Sequence, residues 1–174
     1  MPSHVQIEET ETGPVIVRLT SHRRTLTETD IVSFVNLVGL HEAPFIDMEY
    51  VAGLPGRHNQ RFAPAPLLIS IGMGLVATSA ADVVAAISER EKLGAFHGVV
   101  GVEARVLAPA FPGDTLWVEL EAGIERRTSR GQTLVALRHL ARNQRGELVV
   151  DFTEKALFDP AASTCAPATT RGAS

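Results

Sequence analysis

Apolar positions along this chain change their period more than once, and each change predicts a new kind of element. The run Gly13-Pro-Val-Ile-Val-Arg-Leu-Thr20 is short and β-branched, which predicts a strand or an extended arm. Ile31, Phe34, Val35 and Val38 then recur at helical spacing. Thr27 is placed to cap that helix, Asp30 three positions on can reach back to the cap amide, and Gly39 can end it. Between Val51 and Ala65, Gly53, Pro55, Gly56 and Pro64 interrupt any period and predict an irregular flap. From about Pro66 to Ile87 the chain is apolar on nearly every face, which predicts a buried helix, with Pro64 and Pro66 suited to its first turn. Gly72 and Gly74 weaken that helix and are expected where another backbone comes close.

After Ala95 the period becomes two. Val99 to Ala108 reads as a strand, and from Thr115 to Ile124 Leu116, Val118 and Leu120 alternate with Trp117, Glu119 and Glu121. Thr133 to Arg142 and Glu147 to Phe158 follow, separated by Thr128-Ser-Arg-Gly131 and Asn143-Gln-Arg-Gly146, which have hairpin composition. A long helix followed by an antiparallel meander predicts an α+β domain in which one sheet wraps one central helix.

A length of 174 residues suits one domain with a real core. We place that domain at 13–158, between a flexible N-terminus at 1–12 and a disordered C-terminal tail at 159–174. Apolar residues at 45% and charged residues at 21% exclude a disordered composition overall. The net charge of −4, with no stripe of Lys or Arg, excludes a nucleic-acid footprint. Pro66 to Ile87 reaches the roughly 20 residues that a bilayer requires. Asp82 and the small residues Thr78-Ser79-Ala80-Ala81 instead fit a helix packed on protein, so no membrane is expected. The N-terminus lacks a basic stretch followed by an apolar one, which makes the cytoplasm the expected compartment.

The single cysteine, Cys165, has no internal partner and lies in the tail. The six histidines are scattered without metal-ligand spacing, so no metal is expected. Gly72-Met-Gly-Leu-Val-Ala77 matches a dinucleotide pattern. That pattern needs a strand before it, whereas these glycines fall inside a helix, and they are better read as packing sites. No Gly-x-Ser-x-Gly elbow is present.

The segment Gly39-Leu-His-Glu-Ala-Pro-Phe-Ile-Asp-Met-Glu-Tyr50 resembles the Gly-Asp-x-Asn-Pro-x-His-x-Asp-x-x-Tyr segment of the MaoC-like hydratases and dehydratases. Val106-Leu-Ala-Pro-Ala-Phe-Pro-Gly-Asp-Thr-Leu116 is similar to their Pro-Val-x-Pro-Gly-Asp-Thr-Leu signature, and Asn143-Gln-Arg-Gly-Glu147 to their Asn-Gln-x-Gly-Glu turn. The resemblance covers 25–158. It implies a hotdog fold acting on an acyl thioester, with coenzyme A as part of an acyl-CoA substrate and no separate cofactor. The implied reaction adds or removes water at an enoyl or 3-hydroxyacyl thioester. A homodimer is also implied, because that family builds its acyl tunnels at subunit interfaces.

In that family the first Asp and the His of the segment move the protons. A gapless match puts Leu40 and Phe45 on those positions, while a register that aligns Pro44 puts His41 on the Asp and Ile46 on the His. Neither register supplies the imidazole, which leaves His41, Glu42 and Asp47 as the candidate acid/base groups. Leu40 and Phe45 are then candidates for substrate contact. The family holds the substrate carbonyl on a backbone N–H at the start of its central helix, where this chain has Pro64 and Ala65. Arg57, His58 and Arg61 on the flap, or Arg23 and Arg24 before the first helix, could meet phosphates of coenzyme A. The alternatives are a non-catalytic acyl-CoA-binding protein or partner subunit and, on the same fold, a thioesterase.

Overall fold

Thr27 opens the first helix as its sequence predicts. Its hydroxyl accepts the Asp30 N–H (3.1 Å) while the Asp30 carboxylate accepts the Thr27 N–H (2.8 Å), and Gly39 closes the helix in the left-handed region at φ 69°. The structure is a computed structural model that describes residues 5–8, 16–55 and 59–160. In chain order it has β1 (Val5–Glu8), β2 (Ile16–Thr20), β3 (Arg24–Thr25), α1 (Glu28–Val38), α2 (Ala43–Ile46), α3 (Met48–Ala52), α4 (Ala65–Glu91), β4 (Leu93–Val106), β5 (Thr115–Arg127), β6 (Thr133–Arg142) and β7 (Leu148–Pro160). The strands form one seven-stranded sheet in the order β1-β2-β5-β6-β7-β4, with β3 also paired to β5, and every pairing is antiparallel.

The core lies between α4 and one face of this sheet. Leu68, Ile71, Leu75, Val83 and Ile87 from the helix meet Val118, Leu120, Val135, Ala156, Phe152 and Phe158 from the strands. Burying each large side chain is worth about 1.5–3 kcal/mol, so this one layer carries most of the apolar stabilisation. Among the described residues α4 is also the one helix long and apolar enough to cross a bilayer, and here it is the core helix.

Four expectations are corrected by these elements. Residues 1–12 do not lack an element, since Val5–Glu8 forms β1 against β2. The segment after Gly39 is not a plain loop but two short helices, α2 and α3. The last strand continues past Phe158 because Pro160 is still paired with Leu93, whereas residues 161–174, Cys165 among them, lie outside the described residues. Finally, α4 is not buried all round: Ser70, Gly74, Ala77, Thr78, Ala81 and Ala85 are exposed along one side. The sheet is a single layer and covers only one face of the helix.

The two remaining segments that carry the family resemblance meet in space and hold the sheet ends together. Asp114, 6% exposed, turns back to accept the Phe111 N–H (2.9 Å) and also accepts from Gln144 (2.8 Å) and Arg145 (3.3 Å). Gln144 in turn accepts the Thr115 N–H (2.9 Å), and fully buried Asn143 accepts the N–H groups of Arg145 and Glu147 (3.0 and 3.2 Å). These residues satisfy turn backbone that would otherwise be buried without partners, which is a structural duty.

Gly72 and Gly74, two residues apart, do different work. A Cβ on Gly72 would sit 2.7 Å from the Phe152 ring, so the expected close neighbour is an aromatic side chain rather than a backbone. A Cβ on Gly74 would meet nothing within 4 Å. Gly72→Ala and Gly74→Ala gain the same helix propensity, so the difference between them isolates the clash. We expect Gly72→Ala to be less stable than Gly74→Ala by about 1–3 kcal/mol, measured from urea midpoints.

Candidate functional site

The first turn of α4 stands at the wall of a cavity of about 520 Å³, lined by Phe62, Ala65, Leu68, Val106, Ala108 and Phe111 among others. Every side chain lining it is apolar. Pro64 is the cap, without a side-chain bond, Pro66 has no N–H, and Leu68 donates to the Pro64 carbonyl, so the first-turn N–H groups without an acceptor inside the helix are those of Ala65 and Leu67. Ala65, the first residue of α4, lines this space. Such a turn favours an oxygen that carries or develops negative charge.

The segment from Gly39 to Tyr50 lies beside this cavity without giving it a titratable group. Asp47 caps α3, its Oδ1 accepting the N–H groups of Glu49 (2.9 Å) and Tyr50 (3.0 Å). His41 and Glu42 are exposed, and neither lines the cavity. Leu40 is half-buried at the end of α1, where its N–H returns to the Val35 carbonyl (3.0 Å). Phe45 packs on Phe62, ring centroids 5.1 Å apart, and so backs the cavity wall. Ile46 beside it in the chain is 48% exposed.

The candidate phosphate-binding arginines are engaged nearby. Arg61 is turned to Glu28 on the first turn of α1, and its Nε is buried without a hydrogen-bond partner. Arg57 and His58 lie outside the described residues. Arg24 pairs with Asp30, and Arg23 lies over the Trp117 ring at 5.8 Å.

Two groups that the sequence reading did not single out stand together further along α4. A second cavity of about 260 Å³ runs between the helix and the sheet, and its wall includes His139 on β6 and Glu154 on β7. His139 is 2% exposed and stacks on Phe152, centroids 4.3 Å apart and planes 8° from parallel. Its Nδ1 lies 2.9 Å from the Leu137 carbonyl, which can only accept, so Nδ1 carries a proton. Its Nε2 lies 3.4 Å from Glu154 Oε1. Burial pushes the imidazole down to about 4 and raises the Glu154 carboxyl above its ordinary value. Strand parity could have found both: His139 is in phase with Val135, Leu137 and Ala141, and Glu154 with Phe152, Ala156 and Phe158.

The sequence matches no protein-family model and no curated protein. Solved structures do match. A MaoC-like dehydratase from Rhodospirillum rubrum superposes with a TM-score of 0.61 at 23% identity, over 82% of this chain and 90% of that one. The chain has the hotdog fold of the MaoC-like dehydratases. Within this MaoC-like fold, a monoamine oxidase regulatory protein from Archaeoglobus fulgidus gives a TM-score of 0.59 at 27% identity, over 89% and 91% of the two chains. A C-terminally truncated HadBC (3R-hydroxyacyl-ACP dehydratase) complex from Mycobacterium tuberculosis gives 0.53 at 21%, over 85% and 98%.

The buried imidazole makes stability depend on pH. Its folded value of about 4 lies below the ordinary 6.5, so the unfolded chain takes up the proton first. Stability is therefore lost as pH falls from 6.5 toward 4. Glu154, raised by burial, acts in the opposite sense and lowers stability as pH rises above 4.5. His139→Phe removes the first effect and keeps the second. Between pH 7 and pH 4 the wild type should lose about 3 kcal/mol relative to His139→Phe, read from urea titrations across that range.

Proposed function

We propose that this chain binds an acyl thioester of the acyl-CoA class in the cavity at the start of α4, with the thioester oxygen toward the first-turn N–H groups and the acyl portion along Phe62, Leu68 and Phe111. The observation that supports it is an apolar cavity of about 520 Å³ ending at a helix N-terminus, in a fold shared with a MaoC-like dehydratase and a 3R-hydroxyacyl-ACP dehydratase. Its size is within the roughly 300–1,000 Å³ usual for ligand sites. Hydration of an enoyl thioester needs a base for water and an acid for the α-carbon. Leu40 and Phe45 can supply neither. Asp47 already caps α3, and His41 and Glu42 are exposed. The chain is thus best understood as an acyl-thioester-binding protein on the hydratase/dehydratase fold, whose cavity polarises the thioester without transferring protons.

Turnover by this chain alone is the second reading, and it has one observation in its favour. His41 is free of any capping duty and sits two residues from α2, whose Phe45 touches the cavity wall. Titration calorimetry with crotonyl-CoA, together with loss of the conjugated thioester absorbance, separates the two. We expect binding without turnover, and binding weakened at least about tenfold in Leu68→Trp, which fills the cavity. Turnover abolished by His41→Ala would replace this reading with the hydratase, and release of free thiol would replace it with a thioesterase.

A second copy of the chain is the proposed partner along β4. That strand is the sheet edge, is 14 residues long, and exposes Phe96, Val99, Val100, Val102 and Val106, an edge that would otherwise invite uncontrolled pairing. The small exposed residues on α4 leave room for a neighbouring backbone on the same side of the chain's core helix. Val100→Lys, at a position 60% exposed, should leave the fold intact and convert a dimer to a monomer in light scattering.

A further inference from the structure

The cavity that holds His139 and Glu154 shares no lining residue with the one at the start of α4. We propose that it is a second binding site, for a small ligand with an apolar body and one hydroxyl group, the hydroxyl facing His139 Nε2 and Glu154 Oε1 and donating its proton to one of them. This goes beyond acyl-thioester binding and does not depend on it.

The imidazole is held in one orientation from three sides. Phe152 stacks on its face, and that ring is itself seated against the helix backbone at Gly72. The Leu137 carbonyl takes the Nδ1 proton, which in the neutral ring leaves Nε2 as a lone pair. The carboxylate oxygen 3.4 Å away is also an acceptor when ionised. Both groups line the cavity, so with the imidazole neutral and the carboxylate ionised they offer acceptors and no donor to whatever enters it. A hydroxyl supplies the missing donor. An ether or a ketone of the same shape does not.

The rest of the wall is hydrocarbon: Met73, Val76, Ala77 and Ala80 from α4, and Leu120 and Leu137 from the sheet. Among the described residues no other charged side chain lines the space. On the neighbouring strands Leu120 pairs with His139 and Val102 with Glu154, while Arg138, Asp151 and Lys155 alternate to the opposite face. Burial alone sets the carboxyl. A volume of about 260 Å³ is below that of ordinary drug-sized sites, which selects a short aliphatic alcohol or a similar hydroxylated fragment and excludes a whole coenzyme.

The test compares 1-hexanol with methyl pentyl ether, which has the same number of heavy atoms and no donor. Binding is followed in the full chain by the ¹⁵N shift of His139 Nε2 in histidine-labelled protein. We expect the alcohol to bind at least tenfold more tightly than the ether and to move that resonance. Glu154→Gln brings its own N–H donor without changing shape, and should abolish the preference. His139→Phe removes one of the two acceptors and leaves the carboxylate, so it should weaken the preference. Equal affinity for alcohol and ether in the wild type, binding of neither, an unmoved Nε2 resonance, or a preference that survives in Glu154→Gln would each overturn the proposal. The wild-type comparison decides even if a variant fails to fold. Crotonyl-CoA binding at the other cavity is read separately, so the two sites stand or fall independently.

Discussion

The close seating of α4 on the sheet at Gly72 is the constraint on which the rest of the molecule depends. Without a Cβ at that position the Phe152 ring can lie against the helix, at a distance where a methyl group would stand 2.7 Å from it. Phe152 is 1% exposed and belongs both to the core and to the stack that holds His139. One absent side chain therefore lets the two layers approach and seats Phe152 in the core. Close-packed interiors transmit a change of this size, because neighbours have no free volume in which to adjust.

The candidate site divides its tasks between helix and side chains in an unusual way. At the start of α4 the polar contribution comes from backbone N–H groups, and every side chain lining the space is apolar. That arrangement suits binding and polarisation of a carbonyl and does not suit proton transfer, which needs groups with adjustable pKa. A titratable pair, His139 and Glu154, lies instead in the second cavity, where burial has moved both groups from their ordinary values. Perturbed titratable groups in a cavity are a recognised pointer to function.

Much of the fold was legible in the residues because local chemistry and long-range packing agree. The capping box of Thr27 and Asp30, the left-handed Gly39, and the hairpins after Arg127 and Arg142 form where composition predicts them. Alternation in β5 likewise placed its core-facing residues Leu116, Val118 and Leu120. The errors fell where one element's state depends on another. β1 exists because β2 offers it an edge, Pro160 stays extended because Leu93 pairs with it, and one face of α4 is exposed because the sheet covers only the other.

For the site the balance is reversed. The sequence by itself determined that neither register of the resemblance puts an imidazole in the segment after Gly39 at the family's His position, since side-chain identity needs no coordinates. It also placed a helix start at Pro64 and Ala65, because proline chemistry acts locally. Only the tertiary structure decided that Asp47 is occupied as a cap, that His41 and Glu42 stand outside the cavity, and that Arg61 is turned to Glu28. It alone brought His139 and Glu154 to within 3.4 Å, from strands whose partners are chosen by register. Strand parity is a local property of the chain, while convergence and burial are properties of the packed layers, and it is burial that gives this pair its chemistry.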